Sequence, residues 1–452
     1  VDVFTQKEVW EKEKNVCAGS FPLGKTWQKI WEVCVIRRLE RDGLRGECSL
    51  SREQIFFRGM EEMFFLALLG ILVGGGVSCF IGVLGAGEMQ VEKAPWSRIL
   101  LLPGGLFLCA LLEMRFFPGV AGHGMENLRC LYSRENPFPP LAWLIKAVRT
   151  IITLASGGSG GIVGPSAYVG AALFSAASPE KNTLRENLFC GAAGGVAALL
   201  GTPLGATLFV LESLEKPLFH GFSGERFLRG YWCSFWAWKC SRELGLIPHP
   251  HMVRVPSIPD LSPSFLLFCI GGGLFFGILA ISHVILLKHA RRGVRIFWKS
   301  PLSKALGGGF LVLLIHVLSG YHVCGTGQRD LLLHFQGEGN LLLLQGFWKS
   351  LATGITVGAG GSAGMVGPTF FVGVVGGTFF AHLFSLAPEL FALFGAAAVL
   401  GGAANTPVAA VVFLVELCGF SALLPGAVLC GLSFAVARRW NLFEEEDLRK
   451  IP

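Results

Sequence analysis

The stretch that most constrains this chain occurs twice, as GGSGGIVGP from Gly157 to Pro165 and as GGSAGMVGP from Gly360 to Pro368. Each copy is followed five residues on by another glycine, Gly170 and Gly373, and each sits inside a long apolar run. Glycines followed by proline describe irregular backbone opening into a helix, because proline is favoured in the first helical turn. In a bilayer, unwound backbone survives only where protein buries it or where it lines a cavity. A helix that starts there aims unpaired N–H groups and its positive dipole end at whatever fills the cavity. That is a site for an anion. Glycine-rich stretches can also serve close helix packing alone, but two copies in corresponding positions of two halves point to a transport site.

The surroundings of the motifs are those of a membrane protein. Of the 452 residues, 52 % are hydrophobic and 15 % charged, against about a quarter charged in soluble domains. No Asp, Glu, Lys or Arg occurs from Ser350 to Pro388, nor from Leu390 to Val415. A bilayer core needs about 20 apolar residues, so each run can span or re-enter it. The fold class expected is an all-α polytopic membrane protein.

Charge matters here by location rather than by its total of +7. Lys and Arg cluster in the N-terminal segment, in an expected loop from Lys288 to Lys304, and around Arg438 and Arg439. The positive-inside rule puts all three, and both termini, on the cytoplasmic side. No polar domain is left to bind nucleic acid. The 13 cysteines have no metal-ligand spacing and act as small apolar residues. No cofactor, metal or enzymatic chemistry is expected. A secretory signal is not expected either, since charges interrupt the apolar stretches before Met63.

Along the chain we expect an N-terminal cytoplasmic segment over 1–60, a first transmembrane repeat over 61–245, a second over 246–440 and a short tail over 441–452. The N-terminal segment reads as an interfacial amphipathic helix or a small helical hairpin. Spans are expected at Met63–Leu84, Ile99–Phe117, Phe265–Leu287 and Leu306–Val323, with further apolar segments at Leu141–Ser156 and Leu188–Leu211. The aromatic run Tyr231–Lys239 suits a membrane–water interface. His249 and His251, flanking Pro250, read as a surface loop rather than a metal site. Beyond the glycine motifs, Gly191-Ala192-Ala193 recurs as Gly395-Ala396-Ala397 and Thr202-Pro203 as Thr406-Pro407, with the offset slipped by one residue. Such repeats commonly mean halves related by a pseudo-two-fold axis in the membrane plane; the inversion itself is not readable from the sequence.

These residues carry a family resemblance. From Met63 to Arg439 the chain resembles the CLC chloride channels and transporters. The family pattern GSGIP is matched by Gly122-His123-Gly124-Met125-Glu126, G-(K/R)-E-G-P by Gly161-Ile162-Val163-Gly164-Pro165, and G-x-F-x-P by Gly364-Met365-Val366-Gly367-Pro368. The blocks GTPLGATLFVLE and GAAAVLGGAANTPVAAVVFLVEL agree as well. The resemblance implies a CLC-type inverted-repeat fold with many tilted and broken helices, in a homodimer with one pore per subunit. It implies chloride or a similar small anion as the transported ligand, held by amides of Met365 and Val366 centrally and of Ile162, Val163 and Gly164 outside. The segment at His123 would form the inner side. Dipoles and amides attract an anion yet let it leave, whereas a buried Lys or Arg would hold it too tightly to conduct.

Three departures shape the functional expectation. The family's gating glutamate is Val163 here, and the inner proton-route acid is Ser213, in Phe209-Val210-Leu211-Glu212-Ser213. Coupled exchange with protons therefore lacks both of its usual acids. The family's C-terminal ion-coordinating tyrosine has no evident counterpart in WNLFEEEDLRK, from Trp440 to Lys450. His123 stands where a serine would touch the ion; it either donates an N–H to the anion or turns aside to cap the helix or bond a carbonyl. The expectation is passive anion conduction. The alternatives are a proton-coupled antiporter that uses another acid such as Glu126 or Glu212, and a non-conducting member. The resemblance stops at the membrane part, and no cystathionine-synthase-type regulatory domain is expected before Pro452.

Overall fold

The computed structural model describes residues 52–93, 98–116, 123–134, 138, 141–178, 184–215, 223–247, 258–259, 262–335 and 343–443. The N-terminal segment through residue 51, Gly122, the His249–His251 loop and the tail from residue 444 lie outside the described residues. The chain forms two units, Val1–Phe64 and Phe65–Pro452, and the account below concerns the second.

The described residues are helical. The first half carries α1 (Arg52–Lys93), α2 (Arg98–Phe116), α3 (Met125–Arg134), α4 (Ala142–Ala155), α5 (Val163–Ala177), α6 (Leu184–Leu200), α7 (Pro203–Leu214) and α8 (Gly224–Leu244). The second carries α9 (Pro263–Phe297), α10 (Pro301–Leu318), α11 (Gln328–Phe335) and α12 (Leu344–Gly358). It continues with α13 (Val366–Leu383), α14 (Pro388–Ala403), α15 (Pro407–Cys418) and α16 (Leu423–Ala437). Among the described residues, five helices are long and apolar enough to cross a membrane: Gly59–Val91, Pro263–Phe297, Pro301–Leu318, Val366–Leu383 and Phe420–Ala437. Between them lie shorter apolar helices, among them α5 with 15 residues and α7 and α15 with 12 each. At about 1.5 Å per residue these are too short for a core of about 30 Å. They start or stop at depth and survive because other helices bury them.

The apolar region Leu188–Leu211 is divided, because the chain breaks at Gly201 (φ 73°) and restarts as α7 with proline in its first turn. One sequence expectation is corrected. The basic stretch from Lys288 is not loop, since α9 continues to Phe297. Arg and Lys are good helix formers and suit the negative C-terminal end of a helix, and the next proline is Pro301.

The halves correspond at a fixed spacing of 203 residues through the glycine motifs, Gly157 to Gly360. The spacing reaches back into α1 and α9. A Cβ added to Gly76 would meet the Leu173 side chain at 2.6 Å, and in the second half Leu279 meets the corresponding position at Gly376 at 2.3 Å. The trailing glycines of the motifs serve packing. A Cβ at Gly170 would lie 2.4 Å from the Gly191 carbonyl oxygen, and one at Gly373 would lie 2.4 Å from that of Gly395. Small residues let α5 lie on α6, and α13 on α14, at backbone distance.

The short helices α7 and α15 cap one another. Glu212 of α7 accepts from the N–H groups of Val408 and Ala409 (3.2 and 2.7 Å), and Glu416 of α15 accepts from those of Leu204 and Gly205 (3.0 and 2.7 Å). Each carboxylate thus meets the positive end of the partner helix and pairs amides that the helix cannot satisfy itself. Glu416→Ala strands two of them. We expect it to lower stability by about 2 kcal/mol, read as an earlier thermal transition in detergent, with Glu416→Gln costing less because one acceptor oxygen remains.

Candidate anion site at the helix breaks

The break between α4 and α5 and the break between α12 and α13 meet face to face. Gly161 N–H donates to the Gly364 carbonyl at 2.7 Å, and Gly364 N–H donates to the Gly161 carbonyl at 2.6 Å. Equivalent residues of the two halves exchange both hydrogen bonds in an antiparallel pair. The two motifs therefore run in opposite directions about a local two-fold axis, which is the inversion that the sequence left unread.

Side chains complete the crossing with the same symmetry. Ser159 N–H donates to Thr356 Oγ1 at 3.1 Å, and Ser362 N–H to Thr153 Oγ1 at 3.0 Å. The hydroxyls of Ser159 and Thr353 lie 3.2 Å apart, and those of Ser362 and Thr150 lie 3.0 Å apart. The chain turns at Gly157 (φ 106°) and Gly360 (φ 93°), a conformation that suits glycine. The carbonyls there accept from His316 Nε2 (2.7 Å) and from Arg149 (3.2 Å). These donors answer the negative C-terminal ends of α4 and α12. The positive ends of α5 and α13 lie on the other side of the breaks.

A third segment joins them. A Cβ on Gly164 would lie 2.1 Å from the His123 carbonyl oxygen, and one on Gly124 would lie 2.4 Å from that of Gly164. A Cβ on Gly161 would lie 2.6 Å from the backbone of Gly367. His123 and Gly124, Gly161 to Gly164, and Gly364 to Gly367 are therefore one backbone cluster. Met365 and Val366 are buried, as is Val163 at 3 % exposure, and Ile162 is half-buried. Gly122 lies outside the described residues. Ser213 belongs to α7, where its buried hydroxyl has no hydrogen-bond partner among the described residues.

His123 does something the sequence reading did not name. Its Nε2 lies 2.5 Å from the Glu126 carboxylate in the first turn of α3, and Arg291 of α9 reaches the same carboxylate oxygen at 3.2 Å. Glu126 therefore sits at the positive end of α3 as a built-in anion, while His123 Nδ1 is buried with no partner among the described residues. Phe443 was also missed. Its ring packs 6.0 Å from the imidazole, and its carbonyl accepts from Arg129 at 2.6 Å. It stands in the C-terminal stretch that lacks a tyrosine.

Comparison with known proteins identifies the arrangement. The family described as voltage gated chloride channel matches residues 104–438. The chain belongs to this family, the CLC proteins. A "Chloride/fluoride channel protein" of Pseudomonas syringae pv. tomato is 24 % identical over 395 residues, covering 84 % of each chain. The "Voltage-gated ClC-type chloride channel ClcB" of Citrobacter koseri is 26 % identical over 368 residues, 76 % of this chain and 85 % of that one. Among solved structures, a CLC-type fluoride/proton antiporter superposes with a TM-score of 0.79 at 24 % identity, covering 87 % of this chain and 98 % of that one. A slow cyanobacterial Cl⁻/H⁺ antiporter gives 0.69 at 20 % identity, covering 84 % and 94 %. The fold is thus the CLC-type inverted repeat of a multi-pass membrane protein, and the family consists of anion channels and anion/proton antiporters rather than enzymes.

The closeness of the three CLC segments makes one glycine testable. Gly164→Ala sets a Cβ against the His123 carbonyl, backbone against backbone, so the His123 turn must shift. We expect anion flux in liposomes to fall on the order of tenfold. Gly104→Ala, where an added Cβ meets nothing within 4 Å, should leave flux unchanged.

Proposed function

We propose that this CLC protein conducts chloride or a similar small anion passively, through one pathway in each subunit of a homodimer. The observation that carries the proposal is Val163. It opens α5 in the backbone cluster, where the family resemblance places an acid, and a valine side chain can neither compete with an anion nor carry a proton. The amides of Ile162, Val163 and Gly164, and of Met365 and Val366, are the donors that hold the ion in this reading. The His123 segment and Gly124 form the inner side, and Gly161, Gly364 and Gly367 let backbone approach backbone. Donors of this kind attract an anion without the depth of a full cationic charge, which suits passage. Exposed apolar residues just before and at the start of α16, Phe420, Leu423 and Leu424, support contact with lipid or a second copy. The Lys and Arg clusters support cytoplasmic termini.

A coupled reading has one observation in its favour, the His123–Glu126 pair beside the cluster. Glu212 is a poorer candidate acid, because its carboxylate is engaged by the amides of Val408 and Ala409. Anion efflux from liposomes separates the readings. We expect flux without stoichiometric proton movement; uphill proton pumping that Glu126→Gln abolishes would replace passive conduction by coupled exchange. As a converse check, Val163→Glu should slow flux at neutral pH, because its carboxylate is itself an anion at the amides. The slowing should ease as the pH falls through the carboxylate range near ~4.3.

A further inference from the structure

One buried polar cluster lies outside everything described so far. His283, in the middle of α9 and 2 % exposed, bridges α12 and α13. Its Nδ1 lies 2.7 Å from Ser350 Oγ and its Nε2 lies 3.1 Å from Thr369 Oγ1. Both hydroxyls also bond backward along their own helices, Ser350 to the Gly346 carbonyl at 2.7 Å and Thr369 to the Met365 carbonyl at 2.9 Å. An ionisable side chain inside a membrane helix is a candidate functional group by default, because its burial is expensive.

Counting hydrogens shows what the cluster can do. Four contacts join the imidazole, two hydroxyls and two carbonyls, but a neutral imidazole and two hydroxyls supply three hydrogens. One carbonyl must therefore give up its hydroxyl. With the proton on Nε2, the ring donates to Thr369, Thr369 keeps its bond to Met365, and Ser350 turns to Nδ1. With the proton on Nδ1, Thr369 must turn to Nε2, and the Met365 carbonyl keeps only the Thr369 amide at 3.2 Å. The Met365 carbonyl and the Val366 N–H belong to one planar peptide unit. Whatever holds the carbonyl also aims the amide.

The first half shows that the fold does not need this cluster. At the 203-residue spacing, His283, Ser350 and Thr369 correspond to Phe80, Ala147 and Ser166. Phe80 and Ala147 are buried and apolar, and the Ser166 hydroxyl has no partner among the described residues. The same packing is thus built once without a polar bridge and once with it. The bridge stands only behind the half whose first amides come from Met365 and Val366.

We infer that His283 is a positioning residue for the anion site: its tautomer decides whether Thr369 stays on the Met365 carbonyl, and so how firmly the Val366 amide is aimed. The inference rests on the proposed role of that amide.

The test combines chloride calorimetry on the full chain in detergent with ¹⁵N NMR of His283. Thr369→Val removes the hydroxyl at nearly constant shape and should weaken chloride binding about three- to tenfold, the size of one hydrogen bond. Ser350→Ala leaves Nδ1 without a partner, which is cheaper for an acceptor than for an N–H. It should enrich the Nε2–H tautomer and leave chloride binding equal to or tighter than the parent. The double variant should match Thr369→Val, because Ser350 acts through Thr369. His283→Phe with Ser350→Ala copies Phe80 and Ala147 and should fold and bind like Ser350→Ala. Equal affinity in the parent and Thr369→Val, or weakening by both single variants that adds in the double, would overturn the inference. A parent that binds no chloride contradicts the proposed function instead. The NMR arm needs no anion, and an unchanged tautomer in Ser350→Ala would overturn the coupling by itself.

Discussion

The structure depends on how two broken helices satisfy their backbone inside a membrane. Unwound peptide in lipid leaves N–H and C=O groups that cost several kcal/mol each if unpaired. Here the two breaks satisfy one another. Gly161 and Gly364 exchange both hydrogen bonds, and threonine hydroxyls on α4 and α12 take the serine amides of the opposite break. Neither half can close its break alone, so the antiparallel contact fixes the two halves against each other. It also brings the first turns of α5 and α13 to one place. The proposed anion site is a by-product of the way the breaks are paired.

The same reciprocity runs outward. Glu212 and Glu416 cap each other's helices, and His316 and Arg149 answer the carbonyls of Gly157 and Gly360. Every full charge named here is tied to a helix end or to a countercharge, and none lies among the first amides of α5 and α13. The symmetry fails in chemistry rather than in shape. His123 pairs with Glu126 where the second half has Thr326 with Glu88, and His283 replaces Phe80. Such departures from a shared packing are where a role beyond folding is to be sought.

Much of this was legible in the sequence because glycine and proline report backbone. The two GGSxG motifs predicted both breaks, and the spacing of Gly191 and Gly395 predicted the repeat. Thr150 with Thr153 and Thr353 with Thr356 recur at the motif spacing and could have been read as the polar lining of the crossing. Gly325-Thr326-Gly327 likewise repeats Gly122-His123-Gly124. What could not be read were partners distant in the chain. Nothing local joins Arg291 to Glu126, Phe443 to His123, or His283 to Thr369, since only the tertiary fold brings them together. The end of α9 is hidden for a different reason: a basic run suggests a loop, although basic residues also favour a helix C-terminus.

The central claim is that backbone amides at the starts of α5 and α13, rather than basic side chains, hold the anion. Anomalous diffraction from crystals grown in bromide tests it most directly. The account predicts a bromide peak within hydrogen-bond distance of the amides of Met365 and Val366, or of Ile162 to Gly164. Bromide found instead against the buried side chains of Lys146 or Arg149, with no peak at these amides, would contradict it.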